Sequence, residues 1–147
     1  MCIRDRFPEG SIELKPAGSL MSTFAISAVT MAWAHYSSTH GDRIHGYIAL
    51  SLTALLGIAA INQTVFYFND MNLPIDYSVA TTFLYVIVGA HMVATGVAVL
   101  WIGLVLLRAF GGQIIGRHQD LVISVSIFWY AVVGLYTFIW LFIYVAK

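Results

Sequence analysis

Four side chains in the long apolar stretches of this sequence could do chemistry there: His35, Asn62, Gln63 and His91. A histidine can ligate a metal ion or a haem iron, and it can exchange a proton near neutral pH. Neighbouring Asn and Gln side chains can line a path for ions, or they can join helices by hydrogen bonds. Redox chemistry, ion passage and simple packing are therefore the three interpretations to compare.

Acidic and basic side chains are absent from the interior of the same stretches. The chain has seven Lys and Arg and seven Asp and Glu among 147 residues, and none of them lies deep in an apolar interval. Because charged groups are costly in hydrocarbon and mark proton paths when they occur there, a relay of carboxylates inside these stretches is excluded. The balanced charge contains no basic stripe, which excludes nucleic-acid binding. The single cysteine, Cys2, excludes a disulfide framework.

The intervals between the charges predict the elements that must position these side chains. Hydrophobic residues make up 60% of the chain and charged residues only 10%, too few to cover a water-soluble enzyme. A membrane-spanning helix needs about 20 consecutive apolar residues. Four stretches qualify, at about residues 19–38, 44–68, 77–107 and 121–146. Because the connections are short, we predict an all-α fold, a multi-pass transmembrane bundle of four spanning helices.

The N-terminal segment, residues 1–18, is set apart from the transmembrane domain at residues 19–147. Its first six residues, MCIRDR, are more polar than the residues after them and lack the apolar core of a signal peptide. We interpret residues 1–6 as translated linker sequence, with a short polar tail of the cytoplasmic type as the alternative, and assign no function to Cys2 in either case. The natural sequence would then begin near Phe7 and form part of a longer chain.

Basic residues in the short connections predict the orientation in the membrane. Arg43 lies in the first connection, and Arg108 and Arg117 lie in the third, whereas the second has Asp70 and Asp76 but no Lys or Arg. Cytoplasmic loops carry the excess of Lys and Arg. We therefore expect the loops near Arg43 and near Arg108 to Arg117 to be cytoplasmic.

Packing is the interpretation that we favour for the polar side chains within the spans. Two histidines that clamp one haem iron must lie at similar depth. His91 falls near the middle of the third span, whereas His35 falls near the inner end of the first. A neutral His91 that is hydrogen-bonded to a hydroxyl or a carbonyl of a neighbouring helix is the better interpretation. For Asn62 and Gln63 we favour hydrogen bonds between helices over an ion path.

Small and aromatic residues indicate contact faces without showing what they contact. Gly57, Gly89 and Gly96 could bring helix backbones close together, within this chain or against another subunit. Aromatic side chains follow the last predicted helix along its whole length, up to Trp140 and beyond. They would face lipid or a large partner, or they would form a bulky core, and both interpretations stay open.

Several runs of residues resemble the cytochrome c oxidase subunit III family of the haem-copper oxidases. The similarity covers residues 19–147 in the family's order, with compatible loop lengths. The runs are 27–35 (SAVTMAWAH) followed by 41–43 (GDR), 53–57 (TALLG) with Gln63 and Tyr67, Thr82 and Phe83 with Gly89, His91 and Gly96, and 140–145 (WLFIYV). They are similar to the family's fourth to seventh helices.

The sequence also departs from the family pattern at several places. The family's first three helices, with the glutamate of the third, have no counterpart in these residues. Phe66 precedes Tyr67 where the family commonly has glutamate, and Val88 takes the place of a second histidine before His91. Gly134 and Thr137 stand where the last helix commonly carries histidine and aspartate. The resemblance is therefore to a divergent and N-terminally truncated member.

The resemblance implies a non-catalytic subunit of a respiratory terminal oxidase in aerobic electron transport. Such a subunit holds no cofactor of its own; haem and copper would lie in its partners, the catalytic subunit I and with it subunit II. It would bind phospholipid, support assembly and keep proton uptake stable. His35, Asn62, Gln63, His91 and Trp140 would then be structural residues or would face lipid or a partner. We expect the chain in a bacterial inner membrane.

Two other functions stay open from the sequence. A membrane transporter or channel fragment would use Asn62, Gln63 and His91 to line a polar path. A small membrane anchor for b-type haem would use a histidine as an axial ligand. A reduced-minus-oxidised spectrum of the purified chain distinguishes the haem anchor from an oxidase subunit III, because subunit III by itself should show no haem bands.

Overall fold

The computed structural model describes residues 14–112 and 119–145. Over these residues the chain forms α1 (Leu14–Thr39), α2 (Arg43–Met71), α3 (Val79–Phe110) and α4 (Gln119–Trp140), and α4 continues as a π-helical turn (Leu141–Val145). All four α-helices are long and apolar enough to cross a membrane. The prediction of a multi-pass, all-α bundle with four spans is confirmed.

The first helix begins earlier than the predicted span. α1 starts at Leu14, so the end of the predicted N-terminal segment continues into the helix. Lys15 and Pro16 do not prevent this, because proline is tolerated in the first turn, where its missing N–H has no partner to lose. Residues 1–6, which we interpret as linker sequence, and Arg117 of the third connection lie outside the described residues.

Local side chains determine where the helices begin and end. The Asp42 carboxylate accepts a hydrogen bond from the backbone N–H of His45 at 3.4 Å and caps α2. Ser78 caps α3 in the same way by accepting from the N–H of Thr81 at 3.2 Å. α2 ends at Asn72, which adopts a left-handed conformation with φ of 47°. Pro74 lies two residues beyond this residue, where a helix cannot continue.

Each helix packs against two neighbours, so that the four form a ring around one core. α1 packs against α2 and α4, and α3 packs against the same two helices. The Tyr47 hydroxyl, near the start of α2, donates to the carbonyl of Ala109 at the end of α3 at 3.0 Å. The Tyr136 hydroxyl, late in α4, donates to the carbonyl of Ala17 early in α1 at 3.2 Å. Both contacts join opposite helix ends, which establishes antiparallel packing.

The core of the bundle is filled by large side chains from all four helices. Its fully buried members include Phe24, Met31, Leu50, Ile102 and Trp129. Large apolar side chains also cover the outside of the bundle, for example Val29, which is 70% exposed, and Leu55, Phe83 and Leu104. An apolar exterior around a packed interior is the arrangement of a helix bundle in lipid.

Gly57 is the described glycine at which an added Cβ would come nearest to another helix. A Cβ atom at this position would lie 2.5 Å from Cγ2 of Val99 on α3 and 2.8 Å from Cη2 of Trp129 on α4. Gly89 and Gly96 on α3 differ, since a Cβ at either would meet nothing within 4 Å. The contact face expected at Gly57 is therefore internal to this bundle, whereas an added Cβ at Gly89 or Gly96 would meet no other helix among the described residues.

The aromatic side chains of α4 divide between the core and the outside. Trp129 and Tyr136 are buried, and their rings lie 6.5 Å and 4.8 Å from that of Phe24. Phe138 and Phe142 point outward, and their rings stack on each other at 6.3 Å. The interpretation as a bulky core therefore holds for the buried face, whereas the contact of the exposed face with lipid or a partner stays a prediction.

Candidate functional site

His91 is a buried histidine of the third span, and it lies between helices. It is 8% exposed, and its Nε2–H donates to the backbone carbonyl of Val132 on α4 at 2.9 Å. Its ring also contacts the rings of Phe24 and Tyr136, each with centroids 5.4 Å apart. The expected hydrogen bond to a carbonyl of a neighbouring helix is thus confirmed. Iron ligation through Nε2 would require this interhelical bond to break.

Asn62 and Gln63 point in different directions although they are adjacent in sequence. The Gln63 Oε1 accepts a hydrogen bond from the Thr23 hydroxyl on α1 at 3.2 Å. Asn62 is exposed on the outside of α2 and makes no hydrogen bond to the described residues. Successive residues of a helix are separated by about 100°, so one side of α2 cannot present both. The pair therefore does not line a common path through the bundle.

His35 and Trp140 lie at opposite ends of the bundle. His35 is half-buried near the end of α1 and makes no hydrogen bond to the described part of the chain. Trp140 packs between the main core and a smaller cluster that contains Tyr67, Met71 and Leu84. Its indole N–H is buried without an acceptor among the described residues. No hydrogen bond or ring contact of the described structure joins any two of the five candidate residues.

Hydroxyl groups make further polar contacts between the helices. Thr30 on α1 and Thr53 on α2 share a hydrogen bond of 2.7 Å, and both are buried. The Ser27 hydroxyl accepts a hydrogen bond from the indole N–H of Trp129 at 3.2 Å. Neither pair is among the residues predicted from the sequence. The spacing of Thr23, Ser27 and Thr30 places all three on one helical face, which is the signal that could have found them.

These contacts each join two helices of the bundle. Among residues 14–112 and 119–145, no group of three or more His, Cys, Asp or Glu side chains lies together as a metal site. Each of these polar contacts joins one helix to one neighbour. Hydrogen bonds of this kind in membranes contribute about 0.6 to 2 kcal/mol each. Their chemical role is to set the rotation of each helix against its neighbours.

Comparison with known proteins identifies one family. The family model described as cytochrome c oxidase subunit III matches residues 12–147. Cytochrome c oxidase subunit 3 of Xenopus laevis is 28% identical over 142 residues, which cover 95% of this chain and 53% of that protein. The Pisaster ochraceus protein of the same name is 29% identical over 120 residues, 81% of this chain and 44% of its own length.

A third relative, cytochrome c oxidase subunit 3 of Osphranter robustus, is 30% identical over 126 residues, which cover 85% of this chain and 46% of that protein. The chain thus spans about half the length of the curated relatives it matches. The family match includes all of residues 19–147, the region on which the resemblance in sequence depends, and confirms that resemblance. This four-helix chain belongs to the cytochrome c oxidase subunit III family.

Proposed function

We propose that this chain is a non-catalytic transmembrane subunit of a haem-copper respiratory oxidase. The observation that carries the proposal is the family match over residues 12–147. The polar contacts support it, because His91 and Gln63 are used to join helices. In this proposal haem and copper are held by the catalytic subunit I and by subunit II, and this chain packs against them and binds phospholipid.

The transporter or channel alternative has no observation in its favour. The comparisons find cytochrome c oxidase subunit 3 proteins, and the three residues that would line a polar path do not meet. Asn62 points outward, Gln63 is bonded to α1, and His91 is bonded to α4. A supporting subunit accounts for all three residues without a continuous path.

We propose that His35 and Asn62 face lipid or a partner subunit, and that His91, Gln63 and Trp140 are structural. Asn62 is exposed on α2, whereas the Trp140 side chain packs against both clusters of the bundle. Polar groups in an apolar environment are usually satisfied by a partner. A carbonyl or ester group from a neighbouring subunit or lipid would satisfy the amide of Asn62.

The test of the proposed function is co-purification from the native membrane. The full-length protein, tagged and extracted in mild detergent, should carry partner subunits whose reduced-minus-oxidised spectrum shows haem bands. The variant His91→Ala should co-purify with haem bands of unchanged position and height, because in this proposal His91 is hydrogen-bonded to α4 and is not an iron ligand. Recovery of a haem-free protein with transport activity would refute the proposal, as would loss of haem bands in His91→Ala.

Orientation is a further part of the proposal. We propose that the chain lies in a bacterial inner membrane. This part of the proposal rests on the sequence alone and takes no support from the three relatives, which are animal proteins. The loops near Arg43 and near Arg108 to Arg117 would be cytoplasmic, because the described second connection, between Met71 and Val79, carries no Lys or Arg.

Cysteine labelling tests this orientation. In a Cys2→Ser background, His40→Cys should react with a charged maleimide only from the cytoplasmic side, and Asp76→Cys only from the outside. Both positions are exposed and have ordinary backbone conformations, unlike Asn72 and Gly112, which have positive φ. Val29→Cys, in mid-span and facing outward, is the unreactive control. If the cysteine at position 40 reacted only from the outside and the one at position 76 only from the cytoplasmic side, the orientation would be the opposite of the proposed one.

A further inference from the structure

One face of α2 is not covered by the other described helices. Its members recur every three or four residues, so they share one side of the helix. They are Ile48, Ser51, Leu55, Ile58, Asn62 and Phe66, which we call the free face of α2. The four large apolar side chains among them are 50% to 70% exposed, as on a surface that contacts lipid or another helix.

Asn62 is the polar residue in the second half of this face. Its side chain is exposed and makes no hydrogen bond to the described residues. The neighbouring Gln63 differs, because its Oε1 accepts a hydrogen bond from the Thr23 hydroxyl at 3.2 Å. A carboxamide carries two N–H donors and a carbonyl acceptor. The amide of Asn62 therefore directs unused donors and an unused acceptor out of the bundle.

Ser51 is a second polar residue of the free face. It is half-buried, and its hydroxyl makes no hydrogen bond to the described part of the chain. On the same helix the hydroxyls of Thr53 and Thr64 donate to carbonyls of the preceding turn, at 2.8 Å and 2.9 Å. Ser51 and Asn62 lie about 16 Å apart along the axis of α2. One straight helix that lies along α2 would meet both.

The depth of Asn62 in the membrane limits the groups that can reach its amide. α2 has 29 residues and is about 43 Å long, whereas the hydrocarbon core of a bilayer is about 30 Å thick. A centred helix therefore extends about 7 Å beyond the hydrocarbon at each end. Because Asn62 lies about 14 Å before the end of α2 at Met71, it is about 7 Å inside the hydrocarbon.

The direction of the Asn62 side chain turns its amide away from the lipid headgroups. Side chains of an α-helix lean toward the N-terminus of the helix, which for α2 is at Arg43, the end opposite to Asn62. The short side chain thus leans toward the middle of the bilayer. Acyl chains offer no hydrogen-bonding group. The remaining partner is a polar group that another membrane-spanning helix holds inside the hydrocarbon.

The first half of the free face is slightly concave. Ile48, Ser51 and Leu55 line a shallow depression, and Tyr47 of α2 and Phe110 of α3 form its edges. Side chains of one helix enter grooves on another when two helices pack. The free face thus combines a surface that admits side chains with polar groups that can join two helices.

We propose that the free face of α2 binds a membrane-spanning helix of another subunit, which presents an uncharged polar side chain to Asn62. An amide or a hydroxyl suits this position, because either group can donate and accept a hydrogen bond without a charge in the hydrocarbon. The assignment of that helix to a haem-copper oxidase rests on the proposed function. The docking face itself rests on the depth and the direction of Asn62.

Photocrosslinking in the native membrane identifies what covers the free face. The full-length protein carries p-benzoylphenylalanine in place of Phe66, which is 70% exposed. We expect a crosslinked peptide from a spanning helix of another subunit, with Ser, Thr, Asn or Gln at the depth of Asn62. The same replacement of Phe138, 63% exposed on α4, is the matched control and should not capture that helix. Crosslinks to lipid alone, to a second copy, to the same chain or to a helix without such a residue would refute the proposal.

Removal of the amide tests the polar contact. Asn62→Leu should raise the apparent dissociation constant of the partner subunit in mild detergent about fivefold, because a hydrogen bond between helices is lost. Asn62→Gln keeps an amide and should raise it less than about twofold. Asn69→Leu is the matched control and should leave it unchanged. Asn69 is exposed on the same side of α2, but it lies beside Asp70 at the end of the helix, where headgroups and water are present.

The stability of the purified full-length protein separates docking from folding. Asn62→Leu removes an unpartnered amide from the outside of the bundle, so its unfolding temperature should stay the same or rise while the partner is held less tightly. The docking face is wrong if Asn62→Leu retains the partner like the parent, or if Asn62→Gln or Asn69→Leu loses as much as Asn62→Leu. Capture of a polar helix in a complex without haem would support the docking face and refute the proposed function.

Discussion

Replacement of Gly57 by alanine is expected to destabilise the bundle by about 3 kcal/mol, the upper end of the usual cost of overpacking a core. The new Cβ would lie 2.5 Å from Val99 Cγ2 and 2.8 Å from Trp129 Cη2. Neither neighbour can yield easily, because valine is branched at Cβ and the Trp129 ring is fully buried. The helices must therefore move apart, and contacts on both sides of α2 are lost. The free energy of unfolding in mixed detergent micelles measures this loss.

Gly96→Ala is the matched control for Gly57→Ala. Both changes add one methyl group to a glycine in the middle of a membrane-spanning helix, but a Cβ at Gly96 would meet nothing within 4 Å. We expect Gly96→Ala to change the free energy of unfolding by no more than about 0.5 kcal/mol, the usual range for exposed sites. Equal losses in the two variants would show that the close approach of α2 to α3 and α4 is absent.

Trp129→Ala is expected to have the largest effect, a loss of about 3 to 5 kcal/mol in the free energy of unfolding. The side chain is 0% exposed, and its removal leaves a large cavity in the centre of the bundle. The hydrogen bond from its indole N–H to the Ser27 hydroxyl is lost as well. Because lipid cannot fill a closed interior, the loss of stability comes mainly from lost packing contacts. The free energy of unfolding in mixed detergent micelles measures this loss.

Phe138→Ala is the control for Trp129→Ala, since Phe138 is an aromatic residue of the same helix that is 63% exposed. We expect it to lower the free energy of unfolding by less than about 1 kcal/mol.

A second comparison uses the contact between Trp129 and Gly57. The variant Trp129→Phe removes the ring atoms that a Cβ at position 57 would meet, so the double variant with Gly57→Ala should lose less than the sum of the single losses. A simple sum would contradict the contact.

Packing also explains why the candidate residues do not form one site. His91 and Gln63 make hydrogen bonds to different helices, at 2.9 Å to Val132 and at 3.2 Å to Thr23. Each bond fixes the rotation of one helix against another. A catalytic site would instead require several reactive groups to converge on one point.

The number of spans, their approximate bounds and the short connections could all be predicted from the amino-acid sequence. Lys, Arg, Asp and Glu are excluded from hydrocarbon, so the gaps between Arg43 and Asp70 and between Asp76 and Arg108 predict α2 and α3 directly. The family was also visible in sequence, because its motifs recur in order along four helices. The hydrogen bond of His91 followed from chemistry, since a histidine in the interior of a membrane needs a partner.

The contacts between individual residues could not be predicted in this way, and they are visible in the folded bundle alone. Asn62 and Gln63 are equally polar and adjacent, yet one is exposed and the other reaches Thr23. Gly57 and Gly96 are identical in type, yet a Cβ added at Gly57 would meet two other helices and one added at Gly96 would meet nothing within 4 Å. Large apolar side chains cover both the inside and the outside of the bundle, so hydropathy does not mark the buried faces of the helices. Shape complementarity between the helices sets their rotation, and it is a property of the assembled bundle.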